Sequence, residues 1–139
     1  MRPYDALKGT VGPARILVIE DEEGVRKFIK RALDPPYEVH LASDGEEGLH
    51  QARRVKPALI LLDLRMPGVD GLTVLARLKA SQQTSAIPVI IVSGRGDTDM
   101  LLEGQRAGAV DHVIKPFDVE DLCKVIKRQL PMPEEPEHQ

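Results

Sequence analysis

The stretch ALILLDLRMPGVDG, residues 58–71, decides the fold. Its first five residues form a continuous apolar run, which is typical of a strand covered on both faces of a parallel sheet. Asp63 follows this run directly, and Met66-Pro67-Gly68 then predicts a turn. Asp70 is placed to cap a helix after the turn. The stretch therefore predicts a strand, a polar turn and a helix in succession.

The same succession repeats along the chain from Ala14 onward, which predicts βαβ units around a parallel sheet. The predicted strands cover residues 16–20, 37–41, 58–62, 89–92 and 110–114. The first of five predicted helices carries an apolar stripe with a period of 3.6 residues: Val25, Phe28, Ile29, Ala32 and Leu33. It ends near Asp34, because Pro35 and Pro36 cannot continue a helix.

Aspartates stand at the predicted N-caps of the other four helices: Asp44, Asp70, Asp97 and Asp118. Asp44 with Glu47 resembles a capping box. The fourth helix has the weakest pattern, and Gly104 and Gly108 limit it. The fifth ends at Pro131 and has a predicted buried stripe: Leu122, Val125, Ile126 and Leu130.

The predicted strands differ in pattern, and the difference suggests their order. The first, third and fourth are continuously apolar, whereas the second and fifth alternate and are therefore predicted edges. Right-handed crossovers then give the order 2-1-3-4-5 of a flavodoxin-like, doubly wound (βα)5 sheet of the α/β class. We expect a single domain over 14–130, an N-terminal extension over 1–13 and an acidic, Pro-rich tail over 131–139.

Composition argues against several classes of protein. A net charge of −3 provides no basic footprint for nucleic acid. The longest apolar run is only five residues, and no apolar segment follows the N-terminus. We therefore expect a cytoplasmic protein without a membrane span or secretory signal. One cysteine and four scattered histidines lack the spacing of a zinc site.

Polar side chains follow the carboxyl ends of four predicted strands. Parallel strands bring these ends to one edge of the sheet, where open α/β sheets bind ligands. Each residue alone has a structural explanation, as a helix cap, a turn residue or a surface lysine. Together they predict a single cleft that contains Glu20, Asp21, Asp63, Ser93 and Lys115.

Acidic groups at two neighbouring strand ends repel each other unless a cation lies between them. Carboxylate oxygens suit Mg²⁺, which is commonly held by one or two carboxylates together with a phosphate oxygen. A carboxylate beside Mg²⁺ can be the nucleophile in phosphoryl transfer, while a lysine neutralises charge on the phosphoryl oxygens. Asp63, at the end of the central strand, is the predicted nucleophile.

The residues in these positions resemble the receiver domain of two-component response regulators over residues 14–130. The motifs are ILVIEDE at 16–22, LLDLRMPGVDG at 61–71, VSG at 92–94 and VIKPF at 113–117. The resemblance implies a phosphoacceptor signalling domain that catalyses only its own phosphorylation and dephosphorylation. Its phosphodonor is expected to be a phosphohistidine on a histidine kinase or phosphotransfer protein.

The resemblance also implies a role for each site residue. Asp63 would accept the phosphoryl group, Ser93 would hydrogen-bond it and Lys115 would pair with it. Mg²⁺ would be held by Asp21, Asp63 and the backbone carbonyl of Arg65, with Glu20 acting through water. A cis peptide bond is expected between Lys115 and Pro116.

In this family, switching involves the loop after the fourth strand, here at Ser93, and an aromatic residue on the fifth strand. His112 stands at the aromatic position, either as a pH-dependent switch residue or as a half-buried histidine without that role. Partner binding would use the face formed by the fourth helix, fifth strand and fifth helix. The effector protein is left open, and so is the choice between a monomer and a phosphorylation-dependent dimer. We expect no direct binding to nucleic acid or membrane.

Two other functions remain as alternatives. A receiver-like scaffold would act without phosphorylation, although all five site positions carry competent side chains. An Mg²⁺-dependent phosphatase with an aspartate nucleophile would need a second aspartate two residues after Asp63, where this chain has Arg65. The Arg65 side chain is instead predicted to shield the phosphoryl group from water and to slow its loss.

Overall fold

The computed structural model describes residues 12–130, in which five strands alternate with five helices. The strands are β1 Arg15–Ile19, β2 Glu38–Ala42, β3 Leu59–Asp63, β4 Val89–Ser93 and β5 Asp111–Ile114. The helices are α1 Glu23–Leu33, α2 Gly45–Val55, α3 Gly71–Ala80, α4 Thr98–Arg106 and α5 Val119–Gln129. Most of the predicted N-terminal extension and all of the predicted tail lie outside the described residues.

The strands form one parallel sheet in the order β2-β1-β3-β4-β5, which confirms the predicted topology. Every residue of β3 and β4 is buried, whereas β2 and β5 are partly exposed. The continuous apolar runs and the alternating segments of the sequence therefore distinguished the central strands from the edge strands correctly. Across residues 12–130, no helix is sufficiently long and apolar to cross a membrane.

Two hydrophobic layers cover the sheet, because successive side chains of a strand point to opposite faces. Ile16 and Val18 pack in the layer that includes the buried residues of α1 and α5. Leu17 and Ile19 pack in the layer that includes those of α2 and α3. The side chains of α1 and α5 thus cover one face of the sheet, and those of α2 and α3 cover the other.

The strand bounds differ slightly from the predicted ones at the edge that carries the polar residues. Glu20 lies just outside β1, but its backbone N–H still donates to the carbonyl of Ala42 at 3.0 Å. Asp63 and Ser93 are instead the last residues of β3 and β4. Since Asp63 pairs with Val92, these two strands end nearly level with each other.

Helix capping agrees with the sequence pattern at three of the four predicted aspartates. The carboxylates of Asp44, Asp70 and Asp118 each accept a backbone N–H from the first turn of their helices. The predicted capping box of α2 is only half formed, because the Glu47 carboxylate accepts from Ser43. Asp97 also occupies the predicted N-cap position, that of α4, but its carboxylate makes no capping hydrogen bond among the described residues.

Two features of the helices differ from what their sequence patterns suggest. Phe28 of the apolar stripe of α1 is 41% exposed, and its ring lies 6.0 Å from that of Phe117. Only Ile29 and Leu33 of that stripe are fully buried, because α1 turns a narrower face to the sheet than its periodicity suggests. Gly104 lies inside α4, buried against Ile91, and does not end the helix.

Gly71 holds the first turn of α3 against the strand end that carries Asp63. A Cβ at this position would overlap the carbonyl oxygen of Asp63 and the Cα of Leu64. We therefore expect Gly71→Ala to lower the free energy of unfolding by about 2 kcal/mol, as overpacking against backbone atoms does. Urea unfolding measures the change.

Gly24 supplies the matched control for this prediction. It lies in α1, and a Cβ there would meet no atom of residues 12–130 within 4 Å. Gly24→Ala should raise the free energy of unfolding by about 0.5–1 kcal/mol, because alanine favours the helix. Equal effects at the two positions would contradict the close packing of α3 on the end of β3.

Candidate functional site

Three carboxylates and one ammonium group meet at the carboxyl edge of the sheet. One oxygen from each of Glu20, Asp21 and Asp63 lies within 4.8 Å of the other two. Lys115 Nζ is 2.9 Å from Glu20 Oε1 and 3.4 Å from Asp63 Oδ2. Residues from the ends of β1, β3 and β5 therefore form one acidic pocket, as defined by these four side chains.

The two buried carboxylates of the acidic pocket are held by backbone donors. Asp63 is 4% exposed, and its Oδ1 accepts the N–H of Arg65 at 3.1 Å. Glu20 is 2% exposed, and its Oε2 accepts the N–H of Glu22 at 3.0 Å. Each side chain is thus fixed by the loop that follows its own strand.

Arg26 anchors the loop between β1 and α1. Its Nη1 donates to the carbonyl oxygens of both Glu20 and Asp21, each at 2.8 Å. These bonds fix the backbone that presents two of the three carboxylates. Sequence reasoning missed Arg26, because bonds to main-chain carbonyls leave no pattern among the residues that they hold.

Burial and neighbouring charges shift the pKa values of three groups in the acidic pocket: Glu20, Asp63 and Lys115. Burial raises the pKa of Glu20 to about 7, and burial also raises the pKa of Asp63. Burial by itself lowers the pKa of Lys115, but contact with Glu20 and the charge of Asp63 raise it above the ordinary value. The raised pKa values of Glu20 and Asp63 indicate that it is unfavourable for both carboxylates to be charged when Lys115 alone balances them.

The donor set of the acidic pocket fits a hard divalent cation. All three clustered ligands are carboxylate oxygens, which Mg²⁺ prefers. Glu20 Oε1 is buried and, within residues 12–130, has no partner in hydrogen-bond geometry despite its proximity to Lys115. A cation between the three carboxylates would offset the repulsion that burial strengthens.

Ser93 lies at the adjacent strand end with its hydroxyl unused. The residue is 1% exposed, and Oγ has no hydrogen-bond partner among the described residues. Its backbone is fixed, since the carbonyl of Ser93 accepts the N–H of Lys115 at 2.7 Å. A buried hydroxyl without a partner is costly, so a ligand that reaches it would gain a well-placed donor.

The remaining predicted residues lie outside the acidic pocket. His112 is half-buried on β5 and lines a cavity of about 380 Å³ with residues of α5, including Asp121, Lys124 and Arg128. The side chain of Arg65 bonds to Asp97, with its Nε donating to Asp97 Oδ1. The peptide bond between Lys115 and Pro116 is cis, as the motif predicted.

Comparison with known proteins gives one consistent result. A family model described as response regulator receiver domain matches residues 16–127. The sporulation initiation phosphotransferase F of Bacillus subtilis is 33% identical over 119 residues, which cover 85% of this chain and 94% of that protein. The response regulator ArlR of Staphylococcus saprophyticus is 37% identical over 117 residues, 84% of this chain.

A solved structure of the chemotaxis protein CheY4 of Vibrio cholerae superimposes with a TM-score of 0.80. It is 28% identical, and the match covers 86% of this chain and all of that one. By contrast, the chain spans 52% of ArlR and similar shares of several other curated relatives. The matched region thus occurs both as nearly a whole protein and as one part of a larger one.

Proposed function

Because this chain belongs to the response regulator receiver domain family of two-component signalling, we propose that its phosphorylation-based signalling depends on Asp63. Asp63 accepts a phosphoryl group from a phosphohistidine on a histidine kinase or phosphotransfer protein. The observation that carries this proposal is the placement of Asp63 between two other carboxylates and Lys115 at the end of the central strand. Like the family in general, the chain is expected to act in the cytoplasm.

The transfer is a displacement at phosphorus. A carboxylate oxygen of Asp63 attacks the phosphorus, and the bond from phosphorus to the imidazole nitrogen breaks with its electron pair leaving on nitrogen. The other ring nitrogen of the phosphohistidine carries a proton throughout, so the products are an aspartyl phosphate and a neutral histidine. Lys115 is already 3.4 Å from Asp63 Oδ2 and can pair with the incoming phosphoryl oxygens.

Mg²⁺, when bound, supplies charge neutralisation at the phosphoryl oxygens. Asp21, Asp63 and the backbone carbonyl of Arg65 would hold it, with Glu20 contributing through water. The main chain of Arg65 is held close to Asp63 by the hydrogen bond between its N–H and Oδ1. The Ser93 hydroxyl, which has no partner among residues 12–130, would donate to a phosphoryl oxygen.

An apolar cleft beside Lys115 suits the phosphodonor. Its walls include the half-exposed Phe28 of α1 and Phe117 in the loop after β5, and its volume is about 390 Å³. Lys115 borders both this cleft and the acidic pocket. A histidine-bearing partner that covers the cleft would therefore present its phosphohistidine to Asp63.

The output surface is proposed to be the face of α4, β5 and α5. Leu102 of α4 and Val110, just before β5, are 45% and 47% exposed. His112 of β5 lines the cavity that this strand forms with α5. These exposed apolar groups favour a protein partner, either an effector protein or a second copy of this chain.

Incubation with Mg²⁺ and acetyl phosphate tests this function against its alternatives. The intact mass should gain one phosphoryl group, and the gain should require the metal. A scaffold would show no gain. A phosphatase would instead turn over many equivalents of phosphodonor. Membership of the receiver domain family argues against this alternative function.

The guanidinium of Arg65 is expected to prolong the life of the aspartyl phosphate. Its side chain is 68% exposed and bonds to Asp97, and the residue stands two positions after Asp63 in the loop that follows β3. Arg65→Asn should shorten the lifetime about three- to tenfold, because a shorter side chain leaves the phosphorus open to water; tenfold corresponds to about 1.4 kcal/mol of activation free energy. Release of inorganic phosphate measures the rate, and an unchanged lifetime would remove this role.

A further inference from the structure

The Asp97 carboxylate makes hydrogen bonds that its position at the start of α4 does not explain. Its Oδ2 accepts the N–H of Gly94 at 2.9 Å, and its Oδ1 accepts from Arg65 Nε. Among the described residues its carboxylate makes no bond to the first turn of α4, although it occupies the N-cap. The other aspartate N-caps all bond to their own helices: Asp44, Asp70 and Asp118.

Both donors that Asp97 holds belong to loops that flank Asp63. The backbone N–H of Arg65 already bonds to Asp63, and Gly94 follows Ser93 at the end of the neighbouring strand. The Asp97 side chain is only 5% exposed, whereas that of Arg65 is 68% exposed. Arg65 and Gly94 hold the pKa of Asp97 below its usual range, so its carboxylate stays charged at neutral pH.

We propose that Asp97 is an internal competitor of the phosphoryl group, which holds Gly94 and Arg65 until phosphorylation of Asp63 displaces it. This inference rests on the proposed function and adds a positioning residue to it. In the unphosphorylated protein Asp97 fixes the loop from β4 to α4. After phosphoryl transfer the Gly94 N–H and the Arg65 guanidinium turn to the phosphoryl oxygens.

Competition follows from the number and charge of the groups involved. Gly94 has a single N–H, which cannot fully serve both acceptors. A phosphoryl group carries more charge and more acceptor oxygens than a carboxylate, so it is the stronger acceptor. The displaced carboxylate lies at the start of α4, whose first-turn N–H groups lack helical partners, and it can cap them. Capping offsets part of the cost of displacement.

Beryllofluoride with Mg²⁺, a phosphoryl mimic that binds carboxylates, tests the competition at equilibrium. Asp97→Ala should bind it about tenfold more tightly than wild type, because no carboxylate must be displaced; the expected factor is that of one charge-assisted hydrogen bond. Asp99→Ala is the matched control, since Asp99 is an exposed acid in the first turn of α4. It should leave the affinity unchanged.

The lifetime of the aspartyl phosphate provides a readout that a merely structural role would not move in the same way. Asp97→Ala should lengthen the lifetime, because Arg65 is then always free to cover the phosphoryl group. Arg65→Asn should shorten it. In the Arg65→Asn background, Asp97→Ala should no longer affect the lifetime, although it should still tighten beryllofluoride binding through Gly94.

Several outcomes would overturn the proposal. Equal affinity of wild type and Asp97→Ala for beryllofluoride would do so, as would a lifetime that falls in both single variants. If Asp97→Ala does not fold, Asp97→Asn carries the comparison, because it keeps an oxygen for Gly94 but loses the charge for Arg65. Failure of wild type to bind beryllofluoride or to be phosphorylated would instead refute the proposed function.

Discussion

Asp63→Asn should abolish uptake of a phosphoryl group from acetyl phosphate, while wild type gains one group per chain. The amide is a poor nucleophile and cannot form an acyl phosphate. The substitution keeps the size of a side chain that is 4% exposed, so the core around β3 should be retained. Intact mass after incubation with Mg²⁺ and the phosphodonor measures the effect, which should be complete.

Asp70→Asn serves as the control for this loss. Asp70 lies in the same loop as Arg65 but caps α3, with its Oδ1 accepting the N–H of Thr73 at 2.8 Å. Asparagine also caps helices well, so this variant should take up phosphoryl as wild type does. Uptake that persists in Asp63→Asn, or that disappears equally in both variants, would refute Asp63 as the acceptor.

Mg²⁺ should stabilise the protein more strongly at pH 8 than at pH 5.5. The pKa of Glu20 is raised from 4.5 to about 7 in the fold, because the group is buried. Its stabilising contribution is therefore full below pH 4.5 and is lost as the pH rises through about 7. At pH 5.5 Glu20 is mostly protonated, which should weaken the apparent affinity for the metal by up to about thirtyfold.

Thermal unfolding with and without Mg²⁺ at the two pH values measures this difference. At a concentration one hundred times the dissociation constant, a ligand of the native state adds about 2.7 kcal/mol, and this is the gain expected at pH 8. Glu20→Gln should remove most of the pH dependence of the metal effect. An equal gain at both pH values in wild type would contradict the acidic pocket as the metal site.

The sheet order and the acidic pocket could be predicted because both depend on local patterns. Continuous apolar runs identify central strands, and a parallel sheet brings all its carboxyl ends together whatever lies between them. Glu20, Asp21, Asp63 and Lys115 therefore meet although β1 and β5 are far apart in sequence. Only the order of the strands had to be correct.

The arrangement around Asp97 could not be predicted, because it depends on a contact across 32 residues of sequence. An aspartate before a helix indicates an N-cap, and nothing in the local sequence shows that Arg65 and Gly94 will take the carboxylate instead. The exposure of Phe28 could not be predicted for a related reason. Helical periodicity marks an apolar stripe, but tertiary packing decides how much of the stripe is covered.

The site of phosphorylation can be determined chemically, which tests the central claim most directly. Borohydride reduces an aspartyl phosphate to homoserine, so wild-type protein treated with Mg²⁺ and acetyl phosphate can be reduced, digested and mapped by mass spectrometry. We expect homoserine at position 63 and only when Mg²⁺ was present. Homoserine at another aspartate, or none at position 63 after measurable uptake, would contradict the account.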